Sequence, residues 1–423
     1  MQVKVTPSKV SGTITIPASK SMAHRAIICA SLAKGTSVVS NITYSKDIDA
    51  TIQCMEALGA TIEKKETSCI VHGCDVHTVK NTILCDCSES GSTLRFLIPI
   101  ASLSNQEVHF IGQGRLMDRP MHVYKELFDK QNLPFTQNKD GIQIHGSLNS
   151  GDYQLRGDIS SQFITGLLFT LPLLNGDSTI EILPPYESKS YVDLTLSMLK
   201  EFGIHIEETS YNTYSIQGNQ EYVATDVSVE GDCSQMAFYA VLAALNNALT
   251  CKNIKPDSKQ GDKAILEQVK NAGAYIDIKN TDITITPHER KKQIIDLANC
   301  PDLGPILCVL GSFIPATTKI IHARRLRMKE SDRIEAMETE LKKWGVDISS
   351  TEDEITIHGK ESYTSNEVVK IHGHNDHRIV MAMTVFGLCA NSPSTIDDAQ
   401  AISKSYPDFF KDIESIHGKV EIL

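Results

Sequence analysis

The sequence predicts an α/β protein of two similar domains built from six repeated units, three to a domain. Three observations carry this prediction. At 423 residues the chain is too long for one core and suits two of roughly 200 residues each. A pattern of amphipathic helix, glycine, strand, polar turn and strand recurs along it. The residues that end those helices, at 59, 132, 203, 273, 345 and 418, lie 73, 71, 70, 72 and 73 positions apart. A second, more apolar helix recurs in phase, starting near Ser21, Ser92, Ser161, Ser234, Asp302 and Asp376, at gaps of 71, 69, 73, 68 and 74.

In chain order, the first copy runs through Ile52–Leu58, Gly59, Ala60–Glu63 and Cys69–His72. The second is Val123–Gln131, Asn132, Leu133–Thr136 and Gly141–His145. The third is Leu194–Phe202, Gly203, Ile204–Glu207 and Tyr214–Gln217. The fourth is Ala264–Ala272, Gly273, Ala274–Ile278 and Ile283–Thr286. The fifth is Ile334–Trp344, Gly345, Val346–Ser349 and Glu354–His358. The sixth, Phe409–His417, Gly418 and Lys419–Leu423, stops where the chain ends. Five glycines and one asparagine suit the left-handed position that terminates a helix. Ser and Asp suit the caps of the other series, Asp302 and Asp376 among them. The runs behind those caps, such as Phe163–Leu174, Met236–Leu245 and Ile379–Leu388, are apolar nearly all round and belong inside a domain.

Composition narrows the class. Apolar residues are 41% and charged residues 22%, as in ordinary globular proteins. The net charge of −11 and pI near 5.7 count against a nucleic-acid binder. Eleven cysteines include no C-x-x-C pair, which points to reduced, buried thiols in a cytoplasmic protein. The N-terminus lacks the apolar run of a signal peptide. The longest apolar runs fall far short of the ~20 residues that span a bilayer.

A third series is basic: Lys46, Arg119, Lys189, Lys259, Lys329 and Lys404, at gaps of 73, 70, 70, 70 and 75, each just before a second helix. Helix N-termini carry partial positive charge and free N–H groups. If the repeats pack around pseudo-symmetry axes, these ends converge into electropositive faces that attract polyanions in spite of the acidic total.

Several segments lie on those ends. Ala18-Ser-Lys-Ser-Met-Ala-His-Arg25 places Lys20, Ser21 and Arg25 at one helix start, a set suited to phosphate or carboxylate. Glu89-Ser-Gly-Ser-Thr-Leu-Arg95 is its counterpart, with Gly91 permitting close backbone approach. Gly114-Arg-Leu-Met-Asp-Arg-Pro120 carries Arg119, and Ser160-Ser-Gln162 offers two hydroxyls and an amide. Arg324-Arg-Leu-Arg-Met-Lys-Glu-Ser-Asp-Arg333 packs five cations and two carboxylates into ten residues. A glutamate among cations fits acid–base work. His372-Gly-His-Asn-Asp-His-Arg378 matches no familiar zinc spacing and reads instead as a cap, Asp376, with an anion ligand, Arg378. Ser403-Lys-Ser-Tyr-Pro-Asp408 repeats Ser188-Lys-Ser-Tyr191 three units later.

Taken in order, S-K-S-x-x-x-R, R-P-M, S-S-Q, K-E-S-D-R, N-D-H-R and K-S-Y-P-D resemble the 5-enolpyruvylshikimate-3-phosphate synthases over the whole chain. The resemblance implies two domains, each of three inside-out βαβαββ units. One comprises 1–19 with 230–423, the other 20–229, with hinges near 19–20 and 229–231. It implies that Lys20, Ser21, Arg25, Ser160, Ser161, Gln162, Ser188, Tyr191, Asp302 and Lys329 hold shikimate-3-phosphate. Lys20, Gly91, Arg119, Gln162, Arg333, Arg378 and Lys404 would hold phosphoenolpyruvate. Lys20, Asp302 and Glu330 would be catalytic in an addition–elimination that transfers the enolpyruvyl group, inside a cleft that closes over both substrates. It implies no metal or organic cofactor, small-molecule partners only (no nucleic acid, no membrane), and a monomer.

Three positions depart from the family pattern. The usual N-A-G-T-A-x-R is Glu89–Arg95 here, an asparagine often found before K-E-[ST]-D-R aligns with Arg325, and G-D-x-S-S reads Gly231-Asp-Cys-Ser-Gln235. Among rivals, the UDP-N-acetylglucosamine enolpyruvyl transferases would show a Lys-Asn pair near the start and a cysteine within 112–120, and this chain has neither. An RNA 3′-phosphate cyclase would need a nucleotide site and a basic surface. A non-enzymatic repeat scaffold would explain the periodicity but not the clustered charge.

Overall fold

A computed structural model describes residues 1–423. The chain divides into a discontinuous domain, Met1–Pro17 with Glu230–Leu423, and an inserted domain, Ala18–Val229. Each holds three units around one hydrophobic core.

Unit three shows the plan. Strand Asp152–Arg156, helix Ser161–Thr170, strand Ser178–Leu183, helix Lys189–Glu201 and strands Ile206–Ser210 and Thr213–Ile216 follow one another. The first two strands pair in parallel, with Asp152 opposite Thr179, and the apolar helix makes the crossover such a pair requires. The last strand inserts antiparallel between the second and third. All six sheets have four strands in this arrangement.

Three units borrow a strand from far along the chain. Gly12–Thr15 opens unit four, pairing in parallel with Leu249–Lys252. Val227–Ser228 opens unit one, beside Thr36–Ser40. In unit six, which the repeat leaves short of a strand at the C-terminus, Val3–Thr6 fills the gap. It lies antiparallel between Lys419–Ile422 and Ser394–Ile396, with Val3 opposite Ile422 and Ile396.

The first helix of each unit lies inside and the sheets outside. Cys233–Leu245 is buried at every position, and His377–Cys389 at all but its last. Strands alternate, as in Glu107–Ile111, where Val108 and Phe110 are buried and their neighbours partly exposed.

The helix ends differ in detail from the sequence expectation. Gly59, Asn132, Gly203, Gly273 and Gly345 have positive φ, but in the sixth unit the left-handed residue is His417 at φ 69°. Gly418 is required for another reason: a Cβ there would fall 2.4 Å from Ile413 Cγ2. The caps of the inner helices are Ser19, Ser90, Ser160, Asp232 and Asp376, each accepting a backbone N–H. Unit five breaks the series. Asp302 was expected to cap its helix, but Gly304–Ser312 has Leu303 in that place and no side-chain cap. Asp302 sits in the preceding 3₁₀ turn, Pro301–Leu303. The reason is electrostatic: its carboxylate is taken by three cations.

Candidate active site

In the inserted domain the inner helices begin at Lys20, Gly91 and Ser161. Polar bridges tie their units into a ring. Thr51 and Thr93 hydroxyls meet at 2.7 Å, joining units one and two. Arg95 Nη1 donates to Gln162 Oε1 at 2.8 Å, and Gln162 Nε2 donates to Ser92 Oγ at 2.9 Å, joining two and three. Arg25 Nε donates to Thr195 Oγ1 at 2.8 Å and its Nη2 to the Tyr191 carbonyl at 2.9 Å, joining three and one.

Lys20 opens its helix and pairs with Asp47 Oδ2 at 2.8 Å. Ser21 follows it, and its carbonyl accepts from Arg25 Nη1 at 2.7 Å. Arg25 is buried against the Phe96 ring, and that burial lowers its pKa to about 10, so it stays protonated at neutral pH. Ser160 caps the Gln162 N–H, and Ser161 is buried beside it. Ser188, buried at φ 55°, precedes the helix bearing Tyr191. Lys189 is drawn off to Asp193 and Glu208, at 2.6 and 3.1 Å. Gly91 lies against Arg119, where a Cβ would come within 2.4 Å of Nη1. Gly91→Ala should therefore displace that guanidinium while leaving the fold intact, because the obstructing atom ends a flexible side chain. The expected result is a hold on anionic ligands weakened about tenfold or more, at a melting temperature close to that of the parent; ligand titration and a thermal melt check it.

The discontinuous domain carries a denser network. Asp302 Oδ1 lies 3.1 Å from Lys329 Nζ and 3.2 Å from Arg333 Nη1, and its Oδ2 lies 3.3 Å from Arg378 Nη2. Arg333, with 1% of its side chain exposed, also pairs with Glu330 at 2.7 Å and with fully buried Asp376 at 2.8 Å. Arg378 donates to the Asp302 carbonyl at 3.0 Å and to Ser234 Oγ at 2.6 Å. Lys404 Nζ donates to the Asn375 carbonyl at 2.6 Å. Burial alone would raise the Asp302 pKa, but Arg378, Lys329 and Arg333 hold it well below the usual carboxylate range. Burial lowers the Lys329 pKa, opposed by Asp302.

The structure thus brings Asp302, Lys329, Glu330, Arg333 and Arg378 into one cluster, with Lys404 tied to the adjoining turn. In the inserted domain, Gln162, Gly91 and Arg119 surround Arg95, while Lys20, Ser21, Arg25 and Tyr191 gather at the junction of units one and three. The basic series divides. Arg119 and Lys404 are buried and Lys189 and Lys329 half-buried, whereas Lys46 and Lys259 are exposed on the surface. Register along the chain places a residue at a helix start but does not turn its side chain inward.

Residues given no ligand-holding role from sequence complete both clusters. Asp47 holds Lys20, Thr195 holds Arg25 and Asp376 anchors Arg333. Asp47 had a signal in its place beside Lys46 in the basic series, and Asp376, read from the sequence as a helix cap, does cap its helix and also anchors Arg333. Arg325, which departs from the family pattern, is buried and donates to the Ala298 carbonyl at 2.6 Å. Asp262, also unassigned, is buried near Asp302, and burial first, then the Asp302 charge, raises its pKa to about 6. Since the folded value exceeds the unfolded 3.8, this group favours the fold below pH 3.8, and that contribution is lost as pH rises through 6. Asp262→Asn should gain stability over the parent across that window, by up to about 3 kcal/mol above it. Urea denaturation at pH 4, 5, 6 and 7 would reveal a difference that grows with pH.

The profile of the EPSP synthase (3-phosphoshikimate 1-carboxyvinyltransferase) family matches residues 5–413. The 3-phosphoshikimate 1-carboxyvinyltransferase of Clostridium kluyveri is 44% identical over 421 residues, 99% of this chain and 98% of that one. That of Clostridioides difficile is 43% identical over 432 residues, with the same coverage. Among solved structures, EPSP synthase from Acinetobacter baumannii superposes with a TM-score of 0.80 at 26% identity, covering 99% of both chains. The enolpyruvyl transferase NikO from Streptomyces tendae shares the fold, at a TM-score of 0.81 and 13% identity, covering 99% of this chain and 98% of that one. With two domains of three βαβαββ units, clustered cationic side chains and full-length similarity to these enzymes, the chain belongs to the EPSP synthase family.

Proposed function

We infer that this chain transfers the enolpyruvyl group of phosphoenolpyruvate to the 5-hydroxyl of shikimate-3-phosphate, releasing phosphate, a step of the shikimate pathway to the aromatic amino acids. The observation that carries this reading is the network of Asp302, Lys329, Glu330, Arg333 and Arg378, in which cations able to take substrate anions sit beside two carboxylates. The substrates are polyanions, and the cations neutralise and orient them in a preorganised field. Guanidiniums suit carboxylate and phosphate forks.

The 5-hydroxyl oxygen adds to C2 while C3 gains a proton. The tetrahedral intermediate then loses phosphate from C2 as C3 gives a proton back. Asp302 takes the hydroxyl proton, and Glu330 serves C3 with help from Lys20. Without substrate, Asp302 is a weak base because three cations surround it. Substrate phosphate and carboxylate groups compete for Lys329 and Arg378. As those cations turn to the ligand, the proton affinity of Asp302 rises, so the base strengthens when both reactants are bound. Lys20, Ser21, Arg25, Ser160, Ser161, Gln162, Ser188 and Tyr191 hold shikimate-3-phosphate together with Asp302 and Lys329. Gly91, Arg119 and Lys404 complete the phosphoenolpyruvate set. A hinge near 19–20 and 229–231 is supported by the chain's two passages between domains. The protein acts as a monomer in the cytoplasm, and no helix is long and apolar enough to cross a membrane.

The test is phosphate release from phosphoenolpyruvate with shikimate-3-phosphate, with UDP-N-acetylglucosamine, or with no acceptor. Release is expected with shikimate-3-phosphate alone; release only with the nucleotide sugar overturns the acceptor, and release with neither overturns the reaction.

A further inference from the structure

Unit six carries a second cluster that the transfer reaction does not use. His372 Nδ1 lies 2.7 Å from Asp397 Oδ1, and its Nε2 lies 3.9 Å from Asp398 Oδ2. One donor atom from each of the three residues falls within 4.8 Å of the others. The imidazole of His374 stands beside that of His372, with ring centroids 4.5 Å apart. His374 Nε2 meets Glu340 Oε1 at 3.0 Å, and that carboxylate is 1% exposed.

Other exposed histidines pair with one carboxylate each, as His322 does with Asp296 and His77 with Asp75. Here two adjacent carboxylates face the imidazoles, and neither has a lysine or arginine partner. Lys343, the nearby cation, is taken by Glu340 at 2.7 Å. Backbone donors hold both carboxylates in place: Gly373 N–H binds Asp397 Oδ1 at 2.9 Å, and Asn375 N–H binds Asp398 Oδ2 at 3.1 Å. Ligand atoms about 2.0–2.2 Å from one ion stand roughly 3.4 Å apart, so the three donor atoms, which lie within 4.8 Å of one another, would draw together on an ion.

We propose that His372, Asp397 and Asp398 bind a divalent transition-metal ion of the zinc and cobalt class, with water completing its coordination. The mixed nitrogen and oxygen set favours such ions over magnesium, which prefers oxygen ligands and keeps its waters. The ion would clamp the turn through Asn375, whose carbonyl holds Lys404.

The test titrates the full chain with cobalt(II), following its visible d–d absorption and stoichiometry, with magnesium as competitor and circular dichroism to check folding. One ion per chain is expected, unaffected by equimolar magnesium. His372→Ala and the double variant Asp397→Asn/Asp398→Asn should each bind at least tenfold more weakly, and His322→Ala as tightly as the parent. No absorption change in excess cobalt, or folded His372 and aspartate variants within twofold of the parent, overturns the site. The readout is binding, so the outcome is independent of the proposed reaction.

Discussion

Asp302→Asn is expected to lower kcat by about 10²- to 10⁴-fold, the span usual for losing a positioned general base. The substitution keeps the size and polarity of the side chain but removes the negative charge that Lys329, Arg333 and Arg378 share at 3.1, 3.2 and 3.3 Å. Two roles give two kinetic signatures. If Asp302 accepts the hydroxyl proton, kcat falls and substrate binding changes little, because the released cations remain free to hold anions. If it only positions those cations, KM for phosphoenolpyruvate moves while kcat stays within about tenfold of the parent. Single-turnover measurements at saturating substrates would separate the two, and the second result would remove Asp302 from the proton path.

Arg333→Met is expected to give the largest loss of stability, about 3–5 kcal/mol. Its guanidinium is 1% exposed and faces Asp376, Glu330 and Asp302 at once. Methionine fills much of the volume but leaves Asp376, fully buried, without its cation partner. Burial would raise the Asp376 pKa, and Arg333 is the main force holding it down. In the parent, the folded value lies below the unfolded one, so the pair stabilises above the unfolded pKa near 3.8 and that contribution is lost as pH falls through the folded value. In the variant, the loss should be largest at neutral pH and shrink in acid, where protonated Asp376 no longer needs a cation. Urea denaturation at pH 4 and pH 7 tests this. A loss under 1 kcal/mol at neutral pH would mean that another cation had moved into place. Adding Asp376→Asn should restore part of the stability, because the stranded charge is then gone.

Much of this protein was open to reading from its residues. Helix ends depend on local chemistry, so a glycine or asparagine every 70 to 73 positions marked the units, and five of those six residues do have positive φ. Apolar faces likewise reveal which helices lie inside, since burial follows from side-chain type around the whole helix. The ordered motifs were enough to recognise the family. The grouping of Lys329, Glu330 and Arg333 was visible because it falls within one turn of chain.

Tertiary structure decided what depends on distant pairing. Nothing local in Val3–Thr6 says that it completes a sheet with residues near 396 and 422; that follows from a vacant edge whose backbone groups need partners. Asp302 looked like a cap because an acid before an apolar helix usually is one. Three cations from the loop after Thr317–Ile321 and from helices Arg333–Lys342 and His377–Cys389 outcompete the backbone for it. The same holds for the even basic series, in which Lys46 and Lys259 face solvent while Arg119 and Lys404 are buried. Periodicity places a residue along the chain, but the direction of its side chain is set by the charges and carbonyls that packing brings within reach.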